Sequence, residues 1–461
     1  MPLVGAAEIR AGLRTLPFVE LYEVGGSLRD ELLGREPKDV DLLVCGHALA
    51  EIRAGLALQG PVDDLVVAGR LVGVRFWPRY GPRTGIEVVP PRRETPLEPG
   101  DPGHTGNPHT DFRIEPDPGL AVEDDLLRRD FTINAMAREL RTGIWHDPFG
   151  GRADLEARVL RAVHPTAFRD DPLRILRGLA RCSLDGLAPD TATGELMRAS
   201  AARIAELSPE RVRSELDRLL AGDEPGRALR VARSLDVLAV MLPEWAHCIG
   251  APQSSATQAY TLDEHILCVL DAAVEAGAAS DLRLAALWHD VGKPGASGIR
   301  EHAEEGARIA GRALRRLTYD NETIARVRRL VREHAYGEDH APSAEGARRF
   351  IARIGRSAVP DQLALRRADR LGRGYPDDPA RVAARERFEQ LVEQQWHRPV
   401  TLRELALTGD DLIRAGGHEG PAIGRTLRAL LEAVLADPAL NEQGALLELA
   451  DRLGSNDARR P

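Results

Sequence analysis

The chain has 461 residues, of which 43% are hydrophobic and 29% charged, as in an ordinary folded protein of about two to four domains. Its formal net charge of −9 argues against nonspecific coating of nucleic acid, and no apolar run is long enough to span a membrane. The four scattered cysteines form no C-x-x-C pair and the first residues carry no signal-peptide pattern, so we expect reduced thiols and a cytoplasmic location.

Residues 18–90 alternate short β-rich runs with helical stretches, which predicts an α/β head. The strands LYEV and VDLLV flank a Gly-Gly-Ser turn and a short helix, and the second places Asp39 and Asp41 two residues apart. Because residues i and i+2 of a strand project to one face, the two carboxylates should converge. A hard divalent cation would relieve their repulsion, and nucleotidyl transfer uses such a pair beside glycine amides. A solvated strand end is the competing explanation.

Residues 90–122 are rich in proline, glycine and charge, which is typical of a long functional or unstructured connection. His104, His109 and Asp111 in this stretch are able to bind a metal, but a solvated loop explains them better. From residue 154 onward, apolar residues recur at helical spacing between glycine and proline interruptions. A long α-helical body should therefore follow the head.

The segment LRRDFTINA carries a second set of candidate residues. Arg128 and Arg129 suit the oxygens of a triphosphate, which guanidinium groups bind bidentately. Asp130 and Asn134 lie one helical turn apart. A surface helix of mixed charge is the alternative.

The segment DDPLRILRGL carries a third set. Asp171, Arg174 and Arg177 should lie close to one face of a helix, where an aspartate and an arginine could read the edge of a base. An ordinary i,i+3 salt bridge is the alternative.

The helical body contains histidines and aspartates that could form an open divalent-metal site able to activate water. They are His265, His289, Asp290, His302, His334 and Asp369. Each histidine alone would more simply be a buried core residue. Only two of the 62 basic residues are lysines, Lys38 and Lys293, and both adjoin candidate site residues.

The ordered segments GGSLRD, KDVD, LRRDFTINA, DPFGGRADL, DDPLRILR and ERVRSEL resemble the bacterial class II tRNA nucleotidyltransferases. These are the CCA-adding enzymes, which are related to bacterial poly(A) polymerases. The histidine and aspartate segments of the body resemble the HD phosphohydrolase superfamily. The resemblance implies an α+β fold with a polymerase-beta-like nucleotidyltransferase head at 1–155 and an all-α neck at 156–225 that carries the nucleotide template and RNA-binding helices. An HD domain at 226–375 and a helical tail at 376–461 would follow.

The resemblance also implies roles for individual residues of the head and neck. Asp39 and Asp41 would hold a catalytic Mg²⁺, with Glu87 as a third carboxylate on a looser match. The triphosphate would be seated by Gly25, Gly26, Ser27 and Arg29. Arg129, Asp130 and the residues up to Asn134 would bind the nucleotide and select its ribose. Asp171 and Arg174 would pair with the base of CTP or ATP, supported by Arg177, Glu210, Arg211 and Glu215.

In the HD-like body, the resemblance makes His265, His289, Asp290 and Asp369 the ligands of Mg²⁺ or a divalent transition metal. His302 and His334 would extend this site to a second ion or bind phosphate. The implied activity is hydrolysis of 2′,3′-cyclic phosphates or phosphomonoesters.

Two departures from the family pattern keep alternatives open. Asp170-Asp171 stands where the family usually has Glu-Asp, and residues 91–122 match poorly. The expected reaction is addition of CCA to the 3′ end of tRNA, with the acceptor arm as partner and with no membrane or DNA partner. A CC-only enzyme, an A-only enzyme and a poly(A) polymerase are the near alternatives. An HD phosphohydrolase with an RNA-binding head is the distant one.

Overall fold

The computed structural model describes residues 6–37, 39–67, 69–79, 84–97, 100–101, 112–253, 259–335, 342–376, 378–416 and 420–457. The chain forms two compact units, residues 1–246 with 316–318 and residues 247–315 with 319–461. In the described residues every strand belongs to the first unit, and the second unit is helical. The predicted α+β class, a sheet-containing head followed by a helical body, is confirmed. The predicted boundaries after residues 155, 225 and 375 stay predictions.

The strands are short and lie in the first 190 residues. In chain order they are β1 Leu21–Val24, β2 Asp41–Val44, β3 Val62–Val67, β4 Arg70–Phe76, β5 Ile86–Val89, β6 Arg92–Pro96, β7 Phe112–Pro116, β8 Ala137–Glu139, β9 Trp145–His146, β10 Val159–Leu160 and β11 Ala188–Pro189. Seven form one sheet in the order β3-β4-β5-β2-β1-β8-β9, in which only β2 and β5 are parallel neighbours.

Both faces of the main sheet are covered, which explains the continuous apolar run of β2. Leu42 and Val44 pack in one core with Ile52. Leu43 and Cys45 pack on the opposite face with Leu126. Side chains alternate along a strand, so Asp41 projects to the same face as Leu43.

The helices make up most of the rest. In the first unit they are α1 Ala6–Leu13, α2 Gly26–Leu32, α3 Leu49–Ala57, α4 Val122–Leu127, α5 Gly151–Glu156, α6 Ala167–Asp170, α7 Leu173–Asp185, α8 Thr191–Ser200, α9 Pro209–Ala221, α10 Pro225–Ser234 and α11 Leu238–Met241. In the second they are α12 Leu262–Glu275, α13 Ser280–Trp288, α14 Ile299–Arg316, α15 Asn321–Glu333, α16 Ala344–Ile354, α17 Val359–Leu371, α18 Pro379–Gln395, α19 Gly409–Ala415, α20 Pro421–Ala436 and α21 Gln443–Asp457. Short 3₁₀ helices lie at Thr132–Asn134, Ala201–Glu206, Pro243–Cys248, Arg356–Ala358, Leu402–Glu404 and Pro438–Leu440.

The second unit has a helical core followed by a helical tail. Helices α12, α13, α15 and α17 pack on one another around buried side chains that include Trp288 and Leu330. Further along, Phe350 and Val392 anchor one apolar cluster, and Leu412 and Leu430 anchor another. A search of the described helices finds none that combines the length and the hydropathy needed to cross a bilayer.

Part of the connection at 90–122 is regular structure that the sequence did not predict. Strands β6 and β7 pair with each other as a separate antiparallel sheet. Glu94 of β6 accepts hydrogen bonds from Arg92 Nε and from Arg128 Nη1, both at 2.8 Å, which tie this sheet to the end of α4. His104, His109 and Asp111 lie outside the described residues.

Candidate active site and metal centre

Strand register brings two carboxylates together at the start of β2. Asp41 pairs with Val24 at the end of β1 and lies opposite Glu87 across the parallel β2–β5 pair. Burial, and next the charge of Glu87, raise the pKa of Asp41 to about 6, while Arg129 opposes the shift. A carboxylate whose ionisation is disfavoured by burial and by a neighbouring negative charge is the kind of group that a divalent cation stabilises, so Asp41 fits a metal site.

Asp39 precedes β2, so the prediction that it shares a strand with Asp41 is wrong. The ladder cannot continue to Asp39 because the partner strand ends at Val24, where the Gly25 turn begins. The side chain of Asp39 is exposed, and its charge still contributes to the raised pKa of Asp41. In the described part of the head, no three metal-ligating atoms lie within 4.8 Å of one another, so these carboxylates form no closed ligand group. Lys38 lies outside the described residues.

The Gly25 turn makes room for an arginine beside Asp41. Gly25 has φ +80°, and a Cβ there would lie 2.8 Å from Arg129 Nη1 and 4.0 Å from Asp41 Oδ2. Arg129 Nη2 donates to Asp125 Oδ2 at 3.1 Å, and Asp125 is fully buried. Ser27 Oγ, in the first turn of α2, is buried and finds no hydrogen-bond acceptor or donor among the described residues. The turn and the first residues of α2 thus offer a guanidinium and a hydroxyl, both of which can donate hydrogen bonds to phosphate oxygens.

A chain of polar contacts links the other predicted nucleotide-binding residues. Asn134 Nδ2 donates to Asp130 Oδ1 at 2.9 Å, and Arg29 Nη1 donates to Asn134 Oδ1 at 2.5 Å. Arg177 Nη2 lies 2.8 Å from Asp130 Oδ2. Burial opposes ionisation of Asp130, but Arg177 and the Asn134 hydrogen bond together hold its pKa below the ordinary value. These contacts join α2, α7 and the 3₁₀ helix Thr132–Asn134, which replaces the expected α-helical turn.

The spacing of Asp171, Arg174 and Arg177 predicted that they share one helix, and this prediction is wrong for Asp171. Helix α7 begins at Leu173, and Asp171 before it is extended, with φ −138° and ψ 102°. Pro172 causes this, because a proline excludes the α conformation from the residue that precedes it. Asp171 Oδ1 accepts the Leu173 N–H at 3.0 Å, and Arg174 Nη2 donates to the Arg128 carbonyl at 2.9 Å. The electrostatic neighbours of Asp171 include Arg177 and the α9 residue Arg211.

Buried acids that the sequence analysis did not single out support these arginines. Asp125 pairs with Arg128 and Arg129, and Asp185 at the end of α7 pairs with Arg35 at 2.5 Å. Helical spacing from Asp125 to the two arginines is a local signal that could have found the first. The Arg35–Asp185 pair spans 150 positions, so it leaves no local signal.

The second unit gathers all six predicted metal ligands in two overlapping groups. His265, His289, Asp290 and Asp369 form the first, with ligand atoms all within 4.8 Å of one another. Asp290, His302 and His334 form the second under the same limit. Every one of these side chains is buried.

Two histidines of this cluster turn their Nε2 atoms towards its centre. Nδ1 of His265 faces the Gly372 carbonyl at 3.0 Å, and Nδ1 of His289 faces the Ala286 carbonyl at 2.8 Å. A carbonyl only accepts, so each Nδ1 carries a proton and Nε2 is the atom left to bind either a metal ion or a second proton. The two Nε2 atoms are 3.3 Å apart and face the carboxylates of Asp290 and Asp369, so either a proton or a metal ion lies between these groups. The cluster therefore fits a divalent metal.

Asp290 belongs to both groups through different oxygens. Its Oδ2 lies 3.1 Å from His265 Nε2 and 3.2 Å from His289 Nε2. Its Oδ1 lies 3.5 Å from His302 Nε2 and 3.4 Å from His334 Nε2. An aspartate with one oxygen in each group is placed to bridge two ions.

Charged groups around the cluster set the protonation of its members. Burial opposes protonation of His265, but hydrogen bonds to Asp290 and Asp369 raise its pKa to about 9. Burial lowers the pKa of His302 to about 4. Lys293 Nζ lies 2.5 Å from Asp290 Oδ2, so one of the two lysines noted in the sequence contacts the cluster directly.

Three family models match the chain. They are the poly(A) polymerase head domain over residues 21–161, the probable RNA- and SrmB-binding site of polymerase A over 186–249, and the HD domain over 262–374.

Relatives that match this chain carry the name multifunctional CCA protein. The protein of Cupriavidus necator is 34% identical over 441 residues, which cover 91% of this chain and 99% of the relative. The protein of Thioalkalivibrio sulfidiphilus is 38% identical over 281 residues, which cover 60% of this chain and 63% of the relative. The Bacillus stearothermophilus CCA-adding enzyme, solved in complex with CTP, shares the fold. Its TM-score is 0.64 at 23% identity, over 99% of this chain and 98% of that one.

Proposed function

Because the chain belongs to the family of multifunctional CCA proteins, we propose that it adds CCA to the 3′ end of tRNA from CTP and ATP. The observation that carries this proposal is the Gly25 turn, which sets Arg129 beside Asp41 at the end of β1. Glu87 lies opposite Asp41 in the sheet. A carboxylate pair and a guanidinium at a glycine turn provide what transfer of a nucleotide from a triphosphate needs.

In the proposed reaction, the 3′-hydroxyl of tRNA attacks the α-phosphate in line, and pyrophosphate leaves. Mg²⁺ bound by Asp39 and Asp41, with Glu87 as a third carboxylate, would neutralise charge on the attacking and leaving oxygens. The residues proposed to bind the triphosphate are Gly25, Gly26, Ser27, Arg29 and Arg129. The unsatisfied Ser27 Oγ and the position of Arg129 support this assignment.

We assign recognition of the base to Asp171 and Arg174, and recognition of the ribose to residues 130–134. Arg174 is fixed by its hydrogen bond to the Arg128 carbonyl, which places it next to the triphosphate-binding Arg129. Asp130 is buried and paired with Arg177 and Asn134, so it would fix the segment that faces the ribose. The charges of Arg177, Arg211 and Glu215 would hold the base-reading residues in place.

A single incorporation assay tests the reaction. The full-length protein is incubated with tRNA that lacks CCA and with CTP alone, ATP alone or both, and the products are sized by one-nucleotide resolution electrophoresis. Two nucleotides from CTP and a third only when ATP is added support CCA addition. Arrest after two cytidines would identify a CC-only enzyme, and a single adenosine added only to tRNA already ending in CC would identify an A-only enzyme. Long adenosine tails would show a poly(A) polymerase and overturn the proposal.

We propose a second, hydrolytic activity at the metal cluster of the second unit. Asp290 carries this proposal, because its two oxygens face separate groups of histidines. A metal held by His265, His289, Asp290 and Asp369 would activate water against a 2′,3′-cyclic phosphate or a phosphomonoester. His302 and His334 would hold a second ion or the phosphate. Imidazole ligands favour a transition metal such as Ni²⁺ or Zn²⁺ over Mg²⁺.

Metal removal and replacement test the second activity. Dialysis against a chelator should abolish hydrolysis of adenosine 2′,3′-cyclic phosphate, and titration with each divalent metal should restore it. The metal content of the purified protein, measured by mass spectrometry, should fall in the variant His289→Ala. Hydrolysis that survives both treatments would overturn the proposal.

The four free thiols support a reducing cytoplasm as the proposed location.

A further inference from the structure

A polar chain leads from the metal cluster to its outer edge. Lys293, in contact with Asp290, donates from Nζ to Gln253 Oε1 at 3.1 Å. Gln253 Nε2 in turn donates to the Tyr260 carbonyl at 3.2 Å. A cation beside the metal ligands is thereby connected, in two hydrogen bonds, to the backbone of Tyr260.

The segment that follows α17 reaches the same edge from the other side. Arg373 Nη2 donates to Asp369 Oδ2 at 2.8 Å, and the Gly372 carbonyl accepts from His265 Nδ1. The Arg373 carbonyl accepts the Ala259 N–H at 3.0 Å. Residues 259–260 and 372–375 therefore form one continuous edge next to the metal ligands.

Two tyrosines are exposed on this edge, and we call Tyr260 and Tyr375 the aromatic rim. Gly374 has φ +75°, and a Cβ there would lie 2.3 Å from Tyr260 Cε2, so the Tyr260 ring packs on the Gly374 backbone. Tyr260 is nevertheless 39% exposed, and Tyr375, the next residue after Gly374, is 51% exposed. Both rings are therefore accessible to a ligand on the edge that adjoins the metal ligands.

We propose that the aromatic rim stacks the base of a nucleoside phosphate whose phosphate group is held at the metal cluster. This inference rests on the proposed hydrolytic function and names its substrate class. Lys293 supplies a compact positive charge for the phosphate, and the tyrosine rings supply a surface that accepts any base. A mononucleotide and the 3′ end of an RNA present the same chemical group, so both are ligands of this kind.

Binding measurements with matched ligands test the rim separately from hydrolysis. The probes are adenosine 2′-monophosphate and glycerol 2-phosphate, which carry the same phosphate ester with and without a base. Calorimetry on the full-length protein, metal-free and loaded, should show tighter binding of the adenosine compound. Tyr375→Ala should reduce that preference by about five- to a hundredfold, the usual effect of losing one stacked aromatic.

Variants that keep the aromatic ring, and a variant far from the rim in the chain, separate a loss of stacking from a structural defect. Tyr375→Phe and Tyr260→Phe should keep the preference, because the ring is retained. Ile413→Ala, which removes an exposed apolar side chain from α19, should bind both ligands as the parent protein does. A short RNA ending in a 2′-phosphate, measured beside adenosine 2′-monophosphate, tells whether the rim prefers an RNA end or a mononucleotide. Binding of either ligand that is weakened in Tyr375→Ala supports the inference.

Two results would overturn the inference. In the first, the parent protein binds both small ligands equally. In the second, Tyr375→Ala weakens both by the same factor. If the preference and its loss are observed but no hydrolysis occurs, the rim is supported and the proposed hydrolytic function fails.

Discussion

Asp41 shows how one side chain can carry an electrostatic cost that a metal would remove. Since burial and Glu87 raise its pKa from 3.8 to about 6, the stability of the folded protein falls as the pH rises between these two values and stays lower at higher pH. Asp41→Asn keeps the shape and removes the charge. We expect nucleotide incorporation to fall about a hundredfold or more, because charge stabilisation by a metal is worth several kcal/mol. Thermal unfolding at pH 8 should occur at the same or a higher temperature. A matched change at an exposed strand residue, Asp63→Asn, should alter neither, and an active Asp41→Asn would refute the assignment.

Gly25 provides a second prediction at this scale. Gly25→Ala should destabilise the protein by about 1–3 kcal/mol, because φ +80° with ψ −134° is a conformation that side chains disfavour, and should also displace Arg129. We therefore expect a raised KM for CTP and ATP. Gly34 has φ +71°, and no heavy atom of the described residues lies within 4 Å of the place its Cβ would take, so Gly34→Ala should cost similar stability and leave KM unchanged. Urea unfolding and initial-rate kinetics measure the two effects, and equal KM values in the two variants would contradict the role given to Arg129.

The sequence predicts those features of the site that depend on residues close together in the chain, and it misses contacts between residues far apart in the chain. The Gly-Gly-Ser turn and the Asp41 strand follow from neighbouring residue types, and both were predicted. The adjacency of Asp41 and Glu87 depends on β2 pairing with β5 rather than with β3 or β4, which no local pattern specifies. The pairing of Asp290 with both histidine groups is equally nonlocal, and there the family resemblance, not the spacing, brought the residues together.

At the scale of elements, α7 links the proposed base-reading residues to the head. Its start is set by Pro172, which pushes Asp171 out of the helix, so the regular i,i+3,i+6 spacing was misleading. Its middle contacts the head through Gly178, where a Cβ would lie 2.7 Å from Phe131 Cζ. The helix can approach Phe131 this closely only because residue 178 has no side chain.

This close contact makes α7 sensitive to a single added methyl group. Gly178→Ala should destabilise the protein by about 1–3 kcal/mol, because overpacking must move either Phe131 or the helix. A shifted helix would also move Arg174 and raise KM for the nucleotides. Gly194→Ala in α8 is the control, since its nearest neighbour is Leu235 Cδ2 at 3.5 Å and alanine favours a helix by up to about 1 kcal/mol. Equal unfolding free energies in the two variants would contradict this account of the contact.

For the whole molecule, the order of a sheet-containing head and a helical body was predictable from periodicity, but the grouping of helices was not. Helix α10 packs on α7 within the first unit, a pairing that the helical spacing of either segment does not specify. An amphipathic helix specifies that one face is buried, and it does not specify which neighbour buries it.

Because the two candidate sites lie in different units, the two proposed activities should be separable by mutation. His289→Ala removes a ligand of the cluster in the second unit and should abolish hydrolysis while CCA addition continues. Asp41→Asn should do the reverse. The metal of this cluster should also stabilise the parent protein and Asp41→Asn by about 2.7 kcal/mol at one hundred times its dissociation constant, and should not stabilise His289→Ala. Both activities and the unfolding temperature are measured on the same full-length preparations, with and without added metal. Loss of both activities in either variant, in a protein that still unfolds cooperatively, would show that the sites depend on each other.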